Sequence, residues 1–297
     1  MTARGSAGVA VLLFLATCFV FAVPVAAQEA AAPDTSGIEI TGDYGPTLPP
    51  NIARQKYAHD GDYLINFLHV FMIALFVGWG IFMAYCLIRF RQRPGHVADS
   101  RHIKAKPAKY LEVGLAVVEA FLLIAISIPA WASVKNDLPT PADNPLRLRV
   151  IAEQFAWNFH YPGKDGVFGR TSPDLIDLAT NPMGLDKDDD PNAEDDFVVP
   201  ELHIPVDRPV IIEIMSKDVI HSFSISVLRV KQDAIPGMRI PVWFEATETG
   251  NYEVACAQLC GNNHYSMRAI LVVESSTDFE AWMVEQSKEP EEFDEDL

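Results

Sequence analysis

The apolar residues of this chain crowd into its first 135 positions, in three long runs, and give way afterwards to short alternating patterns. The first run, Val9 to Val25, follows Arg4 and ends at Val25-Ala26-Ala27. A basic start, an apolar core and small residues at the end read as a secretory signal over residues 1–27, with Gln28 as the mature start. Residues 28–62, rich in Ala, Pro and Gly, read as an exported, extended arm. Tyr63 to Ile88 is long and apolar enough to cross ~30 Å of hydrocarbon, and Leu111 to Val134 crosses back. The connection, residues 89–110, carries Arg89, Arg91, Arg93, Arg101, Lys104, Lys106 and Lys109 against one acid, Asp99. So basic a short loop belongs in the cytoplasm, which puts both termini outside.

From Leu146 the period falls to two. Arg147–Ile151, Ala156–Tyr161, Glu201–Ile204, Pro209–Met215, His221–Ser226, Val242–Ala246, Asn251–Ala255 and Arg268–Val273 read as strands, parted by Pro, Gly and Asp turns. About eight strands without a helical period predict a small sandwich over residues 146–275. The fold class is therefore a two-helix membrane hairpin followed by an all-β ectodomain. Between strands lies an acidic insert, Asp174 to Asp196, containing Asp186-Lys187-Asp188-Asp189-Asp190. It lacks the glycine and closing glutamate of a calcium loop, so it reads as solvated. Residues 276–297 read as an acidic tail, without order from Ser287 onward.

The net charge is −17 and the pI about 4.8. That excludes nucleic acid, whose phosphates demand a basic footprint, and suits either a basic soluble partner or solubility alone. Glu112 and Glu119 stand inside the second span, where carboxylates are costly. Glu112, near the cytoplasmic end, either snorkels or serves a proton path. Glu119, about two turns deeper on the same face, should meet protein rather than lipid. Of the four cysteines, Cys18 and Cys86 lie in apolar runs without a partner. Leu15-Ala16-Thr17-Cys18 is a poor lipoprotein box.

The remaining two open the informative segment, Cys256-Ala-Gln-Leu-Cys260-Gly-Asn-Asn-His264-Tyr-Ser-Met267. A second imidazole, His221, sits on an earlier strand. Soft sulfur with imidazole and a weak Met ligand on a β-scaffold points to electron-transfer copper. One Cys, two His and a Met make a mononuclear site; the extra thiolate lets two coppers share both sulfurs. Zinc held by two Cys and two His, a Cys256–Cys260 disulfide, and Met267 as plain core remain the alternatives. A copper carrier without electron transfer is the rival function, favouring exposed and exchangeable Met and Cys; a quinol-oxidase subunit would share the fold without the copper ligands.

Across Tyr63 to Val273 the chain resembles the cytochrome c oxidase subunit II family. The hairpin, Gln154-Phe155-Ala156-Trp157, Asp218-Val-Ile-His221-Ser-Phe, Lys231-Gln-Asp-Ala-Ile-Pro-Gly and the Cys-x3-Cys-x3-His-x2-Met loop carry the likeness. It implies a cupredoxin-like domain holding the dinuclear centre CuA on His221, Cys256, Cys260, His264, Met267 and the backbone carbonyl of Gln258. It implies a proton-pumping oxidase in a bacterial inner membrane, with a haem-bearing subunit I and a subunit III as partners. The donor is a soluble c-type cytochrome, since no Cys-x-x-Cys-His haem motif is fused here. Asp218 is a candidate for the docking face. Electron uptake falls to Phe155, where the family commonly has Trp, and to Trp157. Glu112 matches the mouth of a proton path, whereas Glu119 stands where Pro is usual. Gln258 replaces a Glu that helps hold magnesium, and an amide is the poorer ligand, which weighs against magnesium.

Overall fold

The computed structural model describes residues 40–41, 48–95, 97, 106–136, 138–177 and 180–287. The signal, most of the arm and the last ten residues of the expected tail lie outside these.

Among the described residues, two helical stretches are long and apolar enough to span a membrane, Lys56–Arg89 and Lys109–Ala132. The first is α1 (Lys56–Arg89). The second comprises α2 (Lys106–Phe121), a π-helical turn (Leu122–Ser127) and α3 (Ile128–Asn136). Pro129, which has no N–H to donate, falls just after the widened turn. Near Lys56 and Pro129 the two helices line a common groove with Asp60, Tyr63, Ala125 and Ile126.

Helix α1 begins seven residues before the expected span, because hydropathy marks where lipid begins rather than where helix begins. Lys56 and Asp60, one turn apart, form an ion pair on this polar prelude. The arm before it is not free either. Ile52 and Ala53 are buried, and Ile52 donates its N–H to Val227 and accepts from Thr247. Asp62 takes the Arg229 guanidinium at 2.7 and 3.1 Å, and Tyr57 donates to the Trp243 carbonyl. These bonds moor the ectodomain to the first membrane helix.

The ectodomain is a sandwich of two five-stranded sheets. Its strands are β1 (Leu146–Glu153), β2 (Ala156–Tyr161), β3 (Phe197–Val199), β4 (Leu202–Pro205), β5 (Val210–Ser216), β6 (His221–Ile225), β7 (Val230–Ala234), β8 (Ile240–Phe244), β9 (Gly250–Cys256) and β10 (Arg268–Glu274). One sheet runs β3-β2-β1-β5-β8, the other β4-β10-β9-β6-β7. Parallel pairing of β1 with β5 and of β10 with β4 interrupts an otherwise antiparallel pattern. Leu148, Val150, Phe159, Ile212, Phe223, Val254 and Leu271 fill the space between the sheets. All eight expected strands are present within about two residues. Strands β3 and β7 went unread: one has three residues, and the other, Val-Lys-Gln-Asp-Ala, is mostly polar.

Two regions depart from expectation. Residues 276–286, assigned to an acidic tail, form α4 (Ser276–Gln286). Phe279 is buried, and Trp282 stacks on His203 at 4.1 Å. The insert is not merely solvated. Asp196, 1 % exposed, meets His160 Nε2 at 2.6 Å and accepts from Gly169 N–H at 2.8 Å. Arg149 stacks over Phe168, and Lys217 donates to the Pro182 carbonyl. The run of aspartates is tied down by neighbouring amides and by Arg170.

Candidate metal centre

Strand β9 ends at Cys256 and β10 begins just after Met267, so the Cys-to-Met loop joins two neighbouring antiparallel strands. Its base is closed by Cys256 N–H donating to the Met267 carbonyl at 3.0 Å and by Ala257 N–H donating to Ser222 at 2.9 Å. The second bond ties the loop to β6, whose first residue is His221. A 3₁₀ turn, His264–Ser266, folds the far side back. Register alone thus brings His221, Cys256 and Met267 to one end of one sheet.

The donor atoms converge. Cys256 and Cys260 Sγ are 3.8 Å apart, and both cysteines are free. A disulfide needs about 2.05 Å. Cys260 Sγ lies 3.6 Å from His264 Nδ1 and 3.7 Å from Met267 Sδ. His221 Nδ1 lies 4.0 Å from Cys256 Sγ and 3.1 Å from Met267 Sδ. The Gln258 carbonyl stands 3.2 Å from Cys256 Sγ. The ligand atoms of His221, Cys256 and Cys260 all fall within 4.8 Å of one another, and all three residues are buried. Thiol, imidazole, thioether and carbonyl donors gathered in this way could hold a soft metal ion.

Electrostatics treat the two thiols in opposite ways. Burial works against the Cys256 thiolate, but hydrogen bonding from His221 and from the Ser222 and Gln258 backbone pulls the thiol down to about 6. Burial and the neighbouring Cys256 charge push the Cys260 thiol up to about 12. The Asp218 carboxylate meets His221 Nε2 at 2.8 Å, which leaves Nδ1 turned to the sulfurs. Asp218 also accepts from the Gln154 and Val219 N–H groups. Burial raises its pKa, and these bonds outweigh that to hold it below the ordinary carboxylate value.

The other expected residues fall apart by location. Phe155 sits half-buried in the turn beside the loop. Trp157 is 2 % exposed, edge-on to His221 at 6.2 Å and to Phe223 at 5.5 Å. Trp157 is thus a core residue behind His221, whereas Phe155 keeps an edge at the surface. Asp218 is exposed at the surface, with its carboxylate oxygens bonded to His221 Nε2 and to the Gln154 and Val219 N–H groups. Glu112 and Glu119 are exposed on α2, in the second membrane-spanning stretch. Around the ligands, Val219, Ile220, Leu259 and Tyr265 leave apolar side chains at the surface. Sequence reasoning gave no role to Gln154, whose amide donates to the Cys260 carbonyl at 2.6 Å.

Residues 146–276 match the family described as "Cytochrome C oxidase subunit II, periplasmic domain". The alternative cytochrome c oxidase subunit 2 of Bradyrhizobium diazoefficiens is 38 % identical over 209 residues, covering 69 % of this chain and 73 % of that protein. The cytochrome c oxidase subunit 2 of Cereibacter sphaeroides is 26 % identical over 289 residues, covering 91 % and 90 %. Among solved structures, the periplasmic domain of subunit II of cytochrome oxidase of Bradyrhizobium japonicum aligns with 26 % identity and a TM-score of 0.36, over 48 % of this chain and 92 % of that one. On its sequence relatives, its two apolar helices and its β-sandwich, this chain belongs to the cytochrome c oxidase subunit 2 family, and is a membrane-anchored subunit of an oxidoreductase complex whose family implies copper.

Proposed function

We propose that this chain is where electrons enter a proton-pumping cytochrome c oxidase, through a dinuclear copper centre at the end of its sandwich. The observation that carries this reading is the 3.8 Å approach of two buried, unbridged thiol sulfurs among imidazole, thioether and carbonyl donors. His221, Cys256, Cys260, His264, Met267 and the Gln258 carbonyl would hold the pair. A copper pair held there would supply one-electron transfer.

The protein's own part is to keep the ligands still. The loop is closed at its base by main-chain bonds, and His221 is aimed by Asp218. His221, Met267 and Cys260 are 0, 2 and 4 % exposed, which favours a fixed relay over a carrier that must hand copper on. Phe155, at the surface edge of the site, is the place for a soluble c-type cytochrome to deliver its electron. The haem of subunit I is the acceptor, with subunit III beside it. Glu112, near the cytoplasmic end of the second span, would serve proton uptake. The copper domain and both termini would lie outside a bacterial inner membrane. Gln258 contributes its backbone, and its amide is a poorer magnesium ligand than a carboxylate.

Copper counting with electron paramagnetic resonance on the purified full chain tests the reading. Two coppers per chain and a many-line, mixed-valence spectrum are expected. One metal per chain, bound zinc, or a spectrum of a single isolated copper overturns it.

A further inference from the structure

The turn between β1 and β2 consists of only Gln154 and Phe155, with Glu153 paired to Ala156 across it. A two-residue hairpin can close by its own strand pairing. Both polar ends of Gln154 nevertheless reach out of the turn, to two loops, the β5–β6 connection and the Cys-to-Met loop. Its N–H donates to Asp218 Oδ2 at 2.7 Å, and Asp218 Oδ1 meets His221 Nε2 at 2.8 Å. Its side-chain Nε2 donates to the Cys260 carbonyl at 2.6 Å. One residue is thus one step removed from an imidazole ligand and directly bonded to the main chain of a thiolate ligand.

The loop needs such a hold at that point. Its base is fixed by Cys256, Ala257 and Met267, and its far side by the 3₁₀ turn at His264. Cys260 lies between, outside any strand ladder. The following residue, Gly261, has φ +145°, and a Cβ built there would stand 2.7 Å from Gln154 Nε2 and 2.9 Å from Phe155 Cζ. A side chain at 261 would displace the amide, so the glycine is needed for the close approach of this clasp. Glutamate at 154 would set a carboxylate against a carbonyl, and asparagine would fall one methylene short.

We propose that Gln154 is a positioning residue for electron transfer. It clasps Cys260 and the Asp218–His221 pair into one rigid unit, and joins that unit to the Phe155 edge where a donor arrives. This rests on the copper-loop reading above. The connection from Phe155 through the Gln154 backbone and amide to Cys260 is covalent apart from one hydrogen bond.

The test uses the purified oxidase containing the full chain, as wild type, Gln154→Ala, Gly261→Ala and the double variant. Copper content, the copper hyperfine pattern, the midpoint potential and the rate of copper loss to a chelator are measured. Gln154→Ala is expected to retain its copper but lose it to chelator about five- to tenfold faster, the worth of one net hydrogen bond. Its hyperfine pattern and potential are expected to shift, which a general loss of stability would not cause. Gly261→Ala should give the same shifts, and the double variant no more than either alone. A Gln154→Ala variant with the wild-type spectrum, potential and copper-loss rate overturns the clasp while leaving the copper centre standing. Fully additive effects in the double variant also overturn it. A wild type without a mixed-valence spectrum instead defeats the copper reading itself.

Discussion

The copper loop and the acidic insert are both irregular additions to the same sandwich, yet they solve opposite problems. Residues 256–267 and His221 bring two thiol sulfurs, two imidazoles and a thioether together, with approaches of 3.1–4.0 Å. Residues 162–196 bring together many carboxylates, and answer them from within. Asp186 and Asp190 accept from Arg170 groups, Asp195 from Lys164 N–H, and Asp196 from Gly169 N–H. The first region gathers soft donors that could hold a metal ion. The second is held by groups of the protein itself, His160 and Lys217 of the sandwich among them. Stability should therefore depend on metal at one end and on proton concentration at the other.

Metal removal tests the contrast most severely. A ligand that binds only the folded state stabilises it by about 4 kcal/mol at a thousandfold excess over its dissociation constant. Stripping copper from the protein should lower its unfolding free energy by that order, measured by denaturant titration with and without chelator. Cys260→Ser should abolish the difference, since one bridging sulfur is lost. Hydrogen exchange in the insert should not change in either case. Equal stability of the stripped and loaded forms would break the comparison at its first term.

The converse perturbation strikes the insert. Asp196→Ala leaves a fully buried His160 and the Gly169 N–H without their acceptor, which should cost about 3 kcal/mol. The copper spectrum should stay as in the wild type. Thermal melts and electron paramagnetic resonance on the same sample separate the two effects. A shifted spectrum would show the regions to be coupled through the sandwich.

How much of this could be read in advance follows from the same contrast. Ligand chemistry is legible because Cys, His and Met at those spacings have few other uses, and alternation located all eight expected strands. The insert was misjudged because charge was read as exposure. Asp196 is as acidic as Asp195 in sequence, and only the fold sets it against His160, 36 positions away. Helix α4 was hidden by the same bias, although a local signal existed. Ser275 caps the Asp278 N–H, and Phe279, Trp282 and Met283 follow at helical spacing. Trp157 and Gln154 show the limit of any local reading. Whether a residue of the turn faces a donor, the core or a ligand's carbonyl depends on a sheet-to-sheet approach that no spacing encodes.

Lys217 lies between the two regions and sharpens the comparison further. Its ammonium pairs with Glu153 at 2.6 Å and donates to the Pro182 carbonyl of the insert. Glu153 precedes the Gln154 turn, and Asp218 follows Lys217. Lys217→Met should cost about 1 kcal/mol, since the pair is only partly buried. It should raise hydrogen exchange near Pro182 before it alters copper binding. An effect on chelator-driven copper loss as large as that on the insert would mean that the two ends share one mooring.

The smallest expected effect is that of pH on the insert. Asp190 accepts from the Arg170 N–H at 2.7 Å and the Asn192 N–H at 3.2 Å. The Arg170 backbone bond acts most strongly, and with the Asn192 bond and the Arg170 charge it outweighs burial to hold the Asp190 carboxyl below its ordinary value. A depressed carboxylate adds stability that is fully present above the unfolded value, about 4, and is lost as pH falls through the folded one. Amide exchange at Arg170 and Asn192, corrected for intrinsic rate, should therefore hold steady from neutrality down to about pH 4 and rise below it. Asp190→Asn should remove that acid limb. Protection that fades instead between pH 7 and 5 would mean that a group other than these carboxylates holds the insert. Protection unchanged into strong acid would mean that these carboxylate bonds do not hold the insert, and that its contacts with β1 and β5 suffice.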